Sequence, residues 1–136
     1  MNTFPLEIIA LNRVAYQGPC ESLVIPAPDG EVGIMAGHVP VFIAIAAGEL
    51  RYTLDGQTTI LAVGDGFLDV DESRAVVLVD FAERADEIDM IRAQAAAERA
   101  KERIQAHQDA RTVAHAEAAL ARAIARIRVG GKNAIH

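Results

Sequence analysis

Apolar positions fall in short runs along the first part of the chain and in helical stripes along the rest. Residues 6–11 are apolar with one charge, Glu7. Leu23-Val24-Ile25 is a buried-type run stopped by Pro26 and Pro28, and Val41-Phe42-Ile43-Ala44-Ile45 is another, ending near Gly48. Leu50-Arg51-Tyr52-Thr53-Leu54 and Thr59-Ile60-Leu61-Ala62-Val63 flank Asp55-Gly56. An Asp-Gly pair between β-prone runs predicts a tight hairpin, because the turn needs positive φ. Gly66-Phe67-Leu68-Asp69-Val70 and Ala75-Val76-Val77-Leu78-Val79 predict a second pair, turning through residues 71–74. Strands this short and evenly spaced predict an all-β sandwich or barrel. No helix-length segment separates them, which excludes a parallel α/β sheet.

Beyond residue 85 the period changes. Ile88, Ile91, Ala95, then Glu98/Arg99 and Glu102, trace a stripe that starts apolar and fades to charge, with Ile104 restoring it. Val113, Ala116, Leu120, Ala123/Ile124 and Ile127 trace a better one. Asp86 or Glu87 suits the first helix N-terminus. The polar stretch His107-Gln108-Asp109-Ala110-Arg111-Thr112 separates two helices, with Thr112 the expected N-cap of the second and Asp109 the alternative. A first helix of about 20 residues would be roughly 30 Å long. The second is expected to fray near Gly130-Gly131, so that the tail 130–136 does not continue it. Both stripes are rich in Ala, which packs closely but buries little area. A hairpin with a weak seam and strong helix propensity in each arm is expected to open without its helices melting.

Glycine and proline mark the same division. All five prolines and eight of the ten glycines lie before residue 67, and neither type occurs between Asp86 and Val129. The expected fold is therefore α+β: an N-terminal all-β sandwich, residues 1–85, followed by a C-terminal antiparallel two-helix hairpin, residues 86–136. At 136 residues the chain is short enough to be one domain, and its 51% apolar content supports a core. Aromatics are only 4%, so that core must be Val, Ile, Leu and Ala. No apolar run approaches the roughly 20 residues that span a bilayer. Met1-Asn2-Thr3-Phe4-Pro5 lacks the basic and apolar regions of a signal peptide. Cys20 has no partner for a disulfide, which fits a reducing compartment.

The net charge of -6 divides unevenly. Residues 1–85 hold four basic and twelve acidic side chains, and residues 86–136 hold nine basic and seven acidic, giving -8 and +2. Nucleic acid does not suit so acidic a first module. The mildly basic, arginine-rich second module suits an acidic protein surface or a small phosphate ligand. No catalytic or metal-binding constellation is present in the sequence. The only serines, Ser22 and Ser73, lack a nucleophile context. The histidines His38, His107, His115 and His136 lack ligand spacing, and Gly130-Gly131-Lys132 is not a phosphate-binding loop.

Two clusters carry a sharper signal. Residues 29–40 hold three glycines and Pro40, with Glu31 and His38 as ionisable groups besides Asp29. They specify a shaped loop, and the plain alternative is a sheet corner with solvated polar residues. The second cluster is arginine. Arg92 and Arg99 lie seven apart on one helix, and Arg122 and Arg126 four apart on the next. Brought together by a hairpin, they would need an anion, for which guanidinium and phosphate are well matched. The alternative is a solvated face with weak pairs such as Asp89–Arg92, Glu98–Lys101 and Glu102–Arg99.

At these residues the chain resembles the epsilon subunit of the bacterial F-type ATP synthase. Gly30-Glu31-x-Gly33-Ile34-x-x-Gly37-His38-x-Pro40 is similar to the family's sandwich signature. Residues 82–93, with Ile88-Asp89-x-x-Arg92-Ala93, are similar to its junction, and residues 120–129 to its ending. The resemblance spans the whole chain in order. It implies a non-catalytic subunit of the central rotor, peripheral at the cytoplasmic face of the bacterial inner membrane and coupled to proton or ion transport. The sandwich would bind the gamma subunit and rest on the c-ring, with the loop of Glu31 and His38 facing the ring. The hairpin, extended along gamma into the catalytic hexamer, would inhibit ATP hydrolysis. Folded, it would bind ATP as a regulatory ligand, with no cofactor required. The positions similar to that ATP site are Glu83, Ile88, Asp89, Arg92, Ala93, Arg99, Arg122 and Arg126. The rival reading is a free-standing ATP-sensing module with no permanent partner.

Overall fold

The structure, a computed structural model, describes residues 2–106 and 109–135. His107, Gln108 and His136 lie outside the described residues. The strands are β1 (Phe4–Ala10), β2 (Arg13–Cys20), β3 (Ser22–Ala27), β4 (Gly30–Met35), β5 (Val41–Ile45), β6 (Gly48–Leu54), β7 (Gln57–Val63), β8 (Gly66–Val70), β9 (Ala75–Val79) and β10 (Ala82–Arg84). A single 3-10 turn, Ala85–Glu87, then leads to helices α1 (Met90–Gln105) and α2 (Ala110–Ile135).

Two five-stranded sheets form the sandwich, in the orders β2-β1-β9-β8-β5 and β10-β7-β6-β3-β4. Pairing is antiparallel except between β1 and β9. Alternate residues of each strand point inward, so Leu6, Ile8, Leu23, Ile25, Leu50, Val63, Leu68 and Val77 meet in a core with no exposure above 2%. Tyr16 of β2 and Tyr52 of β6 meet at 4.3 Å between ring centroids and join the sheets along one side. Asp55 and Gly56 both have positive φ (53° and 77°), and the β6–β7 hairpin turns there as the Asp-Gly pair predicts.

The outer faces of the sheets differ. On the first sheet, strand register places Val14, Ile9, Leu78, Phe67 and Ala44 in one row across all five strands. Val14, Leu78 and Phe67 of that row are exposed, and Phe42 stacks on Phe67 with centroids 5.2 Å apart. On the second sheet, register aligns Glu83 of β10, Ala62 of β7 and Glu49 of β6. Helix α2 covers this row. Arg126 Nε donates to Glu83 Oε1 at 2.8 Å, and Lys132 Nζ lies 2.6 Å from Glu49 Oε1. Six residues of helix rise about 9 Å, close to the ~9.6 Å of two strand spacings, so the two cations match the two carboxylates. Ala125 and Val129 fill the seam between them and are buried.

Several expectations are corrected. Strands β2, β4 and β10 were not expected, and residues 30–35 form edge strand β4 rather than loop. Helix α1 starts at Met90, not near residue 86, because Asp89 caps it by accepting from the Arg92 backbone N–H at 3.1 Å. It is 16 residues long rather than about 20. Asp109, not Thr112, caps α2, accepting from the Thr112 N–H at 2.9 Å. The buried stripe of α1 is Ala93, Ala97 and Ala100, while Ile91 is 80% exposed. Two residues are about 200° of helix, so the stripe lies on the opposite side from Ile91. Antiparallel helices close on their smallest side chains, and α2 answers with Ala116 and Ala123. Nor does α2 fray at Gly130-Gly131: it continues to Ile135. A Cβ on Gly130 would sit 2.4 Å from Met90 Sδ and 3.2 Å from Ile88 Cγ2, so close packing replaces the helix propensity that glycine lacks.

Candidate functional site

A cleft of about 260 Å³ opens where the end of β10, the 3-10 turn, α1 and α2 meet. Its walls are Glu83, Glu87, Asp89, Arg92, Ala93, Ala96, Arg99, Ala123 and Arg126. Two chain features assemble it. Asp89 breaks the extended linker into α1 and sets the helix so that Arg92, Ala93, Ala96 and Arg99 share the cleft side. The Ala seam then draws α2 close enough for Ala123 and Arg126 to complete the opposite wall.

Of the eight positions named from sequence, six converge here: Glu83, Asp89, Arg92, Ala93, Arg99 and Arg126. Two do not line the cleft. Ile88 is half-buried and packs near Gly130, and Arg122 is half-buried on α2. Glu87, Ala96 and Ala123 were missed. Ala96 and Ala123 each lie three residues from a named position, Ala93 and Arg126, and that spacing alone places them on the same helix faces.

The acids of the cleft are all engaged. Glu83 holds Arg126 at 2.8 and 3.3 Å. Arg126 is also stacked 3.7 Å above the Phe81 ring centroid, a cation–π contact unforeseen from sequence. Asp89 is spent on the helix cap, so it orients Arg92 through its backbone rather than its guanidinium. Glu87 accepts from the Arg84 backbone N–H at 2.8 Å and from both ends of the Arg13 guanidinium at 2.7 and 2.9 Å. Arg13 beside it, with the Arg84 N–H, pushes the Glu87 carboxyl down to about 2. Among the described residues, Arg92 and Arg99 form no ion pair with protein carboxylates; of the pairs foreseen, only Glu98–Lys101 is present, at 3.5 Å. The cleft thus offers two uncommitted guanidiniums from α1 and a third, on α2, held in place by Glu83 and Phe81.

Glu31 and His38 are not gathered into one site. Glu31 opens β4 and accepts from Arg51 at 2.8 and 3.2 Å, which lowers its pKa. His38 lies past the far end of the strand, where its N–H donates to Met35 O and Gly37 turns with φ 81°. Four strand steps carry Met35 roughly 14 Å from Glu31. Near Glu31, Arg51 also reaches Glu49 at 2.9 Å. Burial pushes the Glu49 carboxyl up, but hydrogen bonds from Lys132 and Arg51 outweigh it and leave the group below its ordinary value.

Both halves of the chain match known families: the beta-sandwich domain of the ATP synthase delta/epsilon chain over residues 3–85, and its long alpha-helix domain over residues 86–131. The chain belongs to the ATP synthase delta/epsilon family. It is 40% identical to an ATP synthase epsilon chain of Syntrophomonas wolfei over 132 residues, covering 96% of each chain. It is 42% identical to that of Desulforamulus reducens over 123 residues, 90% of this chain and 93% of the relative. Its fold is similar to a chain of the Euglena gracilis mitochondrial ATP synthase, with a TM-score of 0.78 at 23% identity, over 98% of this chain and 82% of that one. As an epsilon-family chain it carries no cleft acid free of a hydrogen-bonded partner among the described residues. No described helix is long and apolar enough to cross a membrane.

Proposed function

We propose that this chain is a non-catalytic central-stalk subunit of an F-type ATP synthase that couples gamma to the c-ring and restrains ATP hydrolysis through its hairpin. We further propose that ATP binds the folded hairpin in the cleft of Arg92, Arg99 and Arg126. The observation that carries this reading is the convergence of six of the eight named positions on one cleft. Its walls come from both arms, so the site exists only while α1 and α2 lie together against β10. A ligand that binds one conformer shifts the population toward it by its differential affinity. ATP would therefore favour the folded, non-inhibiting state. At about 260 Å³ the cleft is below the usual ~300–1,000 Å³ of enclosing ligand sites, so it would grip the polyphosphate and leave part of the nucleotide outside.

The remaining surfaces support the partners. The apolar row of Val14, Ile9, Leu78 and Phe67 lies on the sheet face that the hairpin leaves bare, and we assign it to gamma. Edge strand β4, with Glu31 at one end and exposed Met35 and Val39 beside half-buried His38 at the other, is the edge we assign to the c-ring. The Euglena structure is an assembly of that enzyme's F1 and c-ring, and a Tetrahymena thermophila match at TM-score 0.58 is a central stalk with c-ring. These assignments place the chain peripherally at the cytoplasmic membrane face of a bacterium. We also propose that the hairpin, from residue 86 onward, moves as a unit on a fixed sandwich.

The test is ATP hydrolysis by the assembled enzyme with the full chain and with a chain ending at residue 86. Faster hydrolysis with the truncated chain is expected. Unchanged hydrolysis would refute the inhibitory hairpin. A full chain that fails to join gamma and the c-ring would refute the stalk assignment and favour a free-standing ATP sensor.

A further inference from the structure

Arg13 begins β2, on the sheet opposite the one that α2 packs against, and is 74 residues from Glu87. It nonetheless reaches across the end of the sandwich, grips both carboxylate oxygens of Glu87, and donates to the Ala82 carbonyl. Arg13 itself does not line the cleft, whereas Glu87 does. The cleft contains three acids, Glu83, Glu87 and Asp89, facing the guanidiniums of Arg92, Arg99 and Arg126. Glu83 is committed to Arg126 and Asp89 to the α1 cap. Glu87 is the one acid whose partner comes from outside the cleft.

We propose that Arg13 is a positioning residue for the nucleotide site, neutralising Glu87 and tying its carboxylate back from the phosphate-binding arginines. The proposal rests on the ATP-binding reading above. Without Arg13, Glu87 becomes an uncompensated negative charge on the wall of an anion site. It would repel the polyphosphate and compete with it for Arg92 or Arg99. With Arg13, the carboxylate serves the linker instead, joining the start of β2 to the Arg84 backbone N–H and holding the 3-10 turn. The low pKa of Glu87 agrees with this pairing and keeps the carboxylate charged at any neutral pH, so neutralisation must come from Arg13 rather than from a proton.

Calorimetry of ATP with the intact chain tests this through four proteins: wild type, Arg13→Gln, Glu87→Gln and the double variant. One added charge at cleft distances predicts affinity about tenfold weaker in Arg13→Gln. The double variant should return to within about twofold of Glu87→Gln, because the unpaired carboxylate is gone although Arg13 is still missing. A purely structural role for Arg13 would not be rescued in this way. Wild-type affinity in Arg13→Gln, or no recovery in the double variant, overturns the proposal. If wild type itself binds no ATP at millimolar concentration, the nucleotide reading fails and this one with it, an outcome distinct from the other two.

Discussion

Lys132 lies in the segment that sequence alone placed beyond the helix, and replacing it with Met isolates what its charge contributes. Methionine keeps the unbranched stem and removes the ammonium. Glu49 is the one charged residue classed as buried among the described residues, at 8% exposure, and Lys132 Nζ sits 2.6 Å from it. Removing one partner of a fully buried pair costs about 3–5 kcal/mol, because the other charge is stranded. Two features reduce that here. The Lys132 side chain is 41% exposed, so water screens the pair, and Arg51 remains 2.9 Å from Glu49. The expected loss is therefore about 1–2 kcal/mol, between the buried and surface limits. It should fall on hairpin docking and not on the sandwich, since Lys132 touches the sheet only from outside. Hydrogen exchange of the intact chain reads this directly. Amides in the last turns of α2 should exchange roughly 5–30-fold faster in Lys132→Met, while β6 and β8 keep their protection. Glu49→Gln should do less harm, because it removes the buried charge and returns Lys132 to solvent. Unchanged α2 exchange would refute a docking role for the Lys132–Glu49 pair. Uniform loss across the strands, or a larger effect from Glu49→Gln, would refute the burial argument behind it.

Two further outcomes follow from the same physics. A Cβ on Gly66 would lie 1.8 Å from the Leu78 carbonyl oxygen, backbone that cannot step aside, so Gly66→Ala should destabilise the sandwich by several kcal/mol in urea unfolding; a loss under about 1 kcal/mol would show that β8 and β9 can separate there. Glu87, with its pKa held at about 2 instead of 4.5, contributes stability that is present above its unfolded value and lost as pH falls toward 2. Its side chain is 27% exposed, so screening reduces the full linkage of roughly 3 kcal/mol to about 1 kcal/mol. Glu87→Gln should then be about 1 kcal/mol less stable than wild type near neutral pH, with the gap closing in acid, and a gap that is independent of pH would point to lost packing instead.

What the chain declares locally is its change of period. The short β-prone runs, the Asp55-Gly56 turn and the absence of glycine and proline from 86 to 129 are properties of neighbouring residues, and the two-module α+β fold follows from them. Part of the cleft was legible for a related reason: Arg92 and Arg99 occupy one helix side that their spacing already groups, whereas Glu83, Asp89 and Ala93 came from the family resemblance, and Arg122, grouped with Arg126 by spacing, does not line the cleft. The rest depended on contacts between segments far apart in the chain. The seam of α1 closed on Ala93, Ala97 and Ala100 rather than Ile91, since close approach of two helices favours the smallest side chains over the most apolar ones. Helix α2 ran through Gly130 because Met90 and Ile88 fill the space beside it. Arg13 and Glu87, 74 residues apart, became neighbours only where the sandwich closed. Local pattern determines which elements form, because propensity and period act over a few residues. Which faces meet, and which charges are left free to take an anion, is decided by packing across the whole fold.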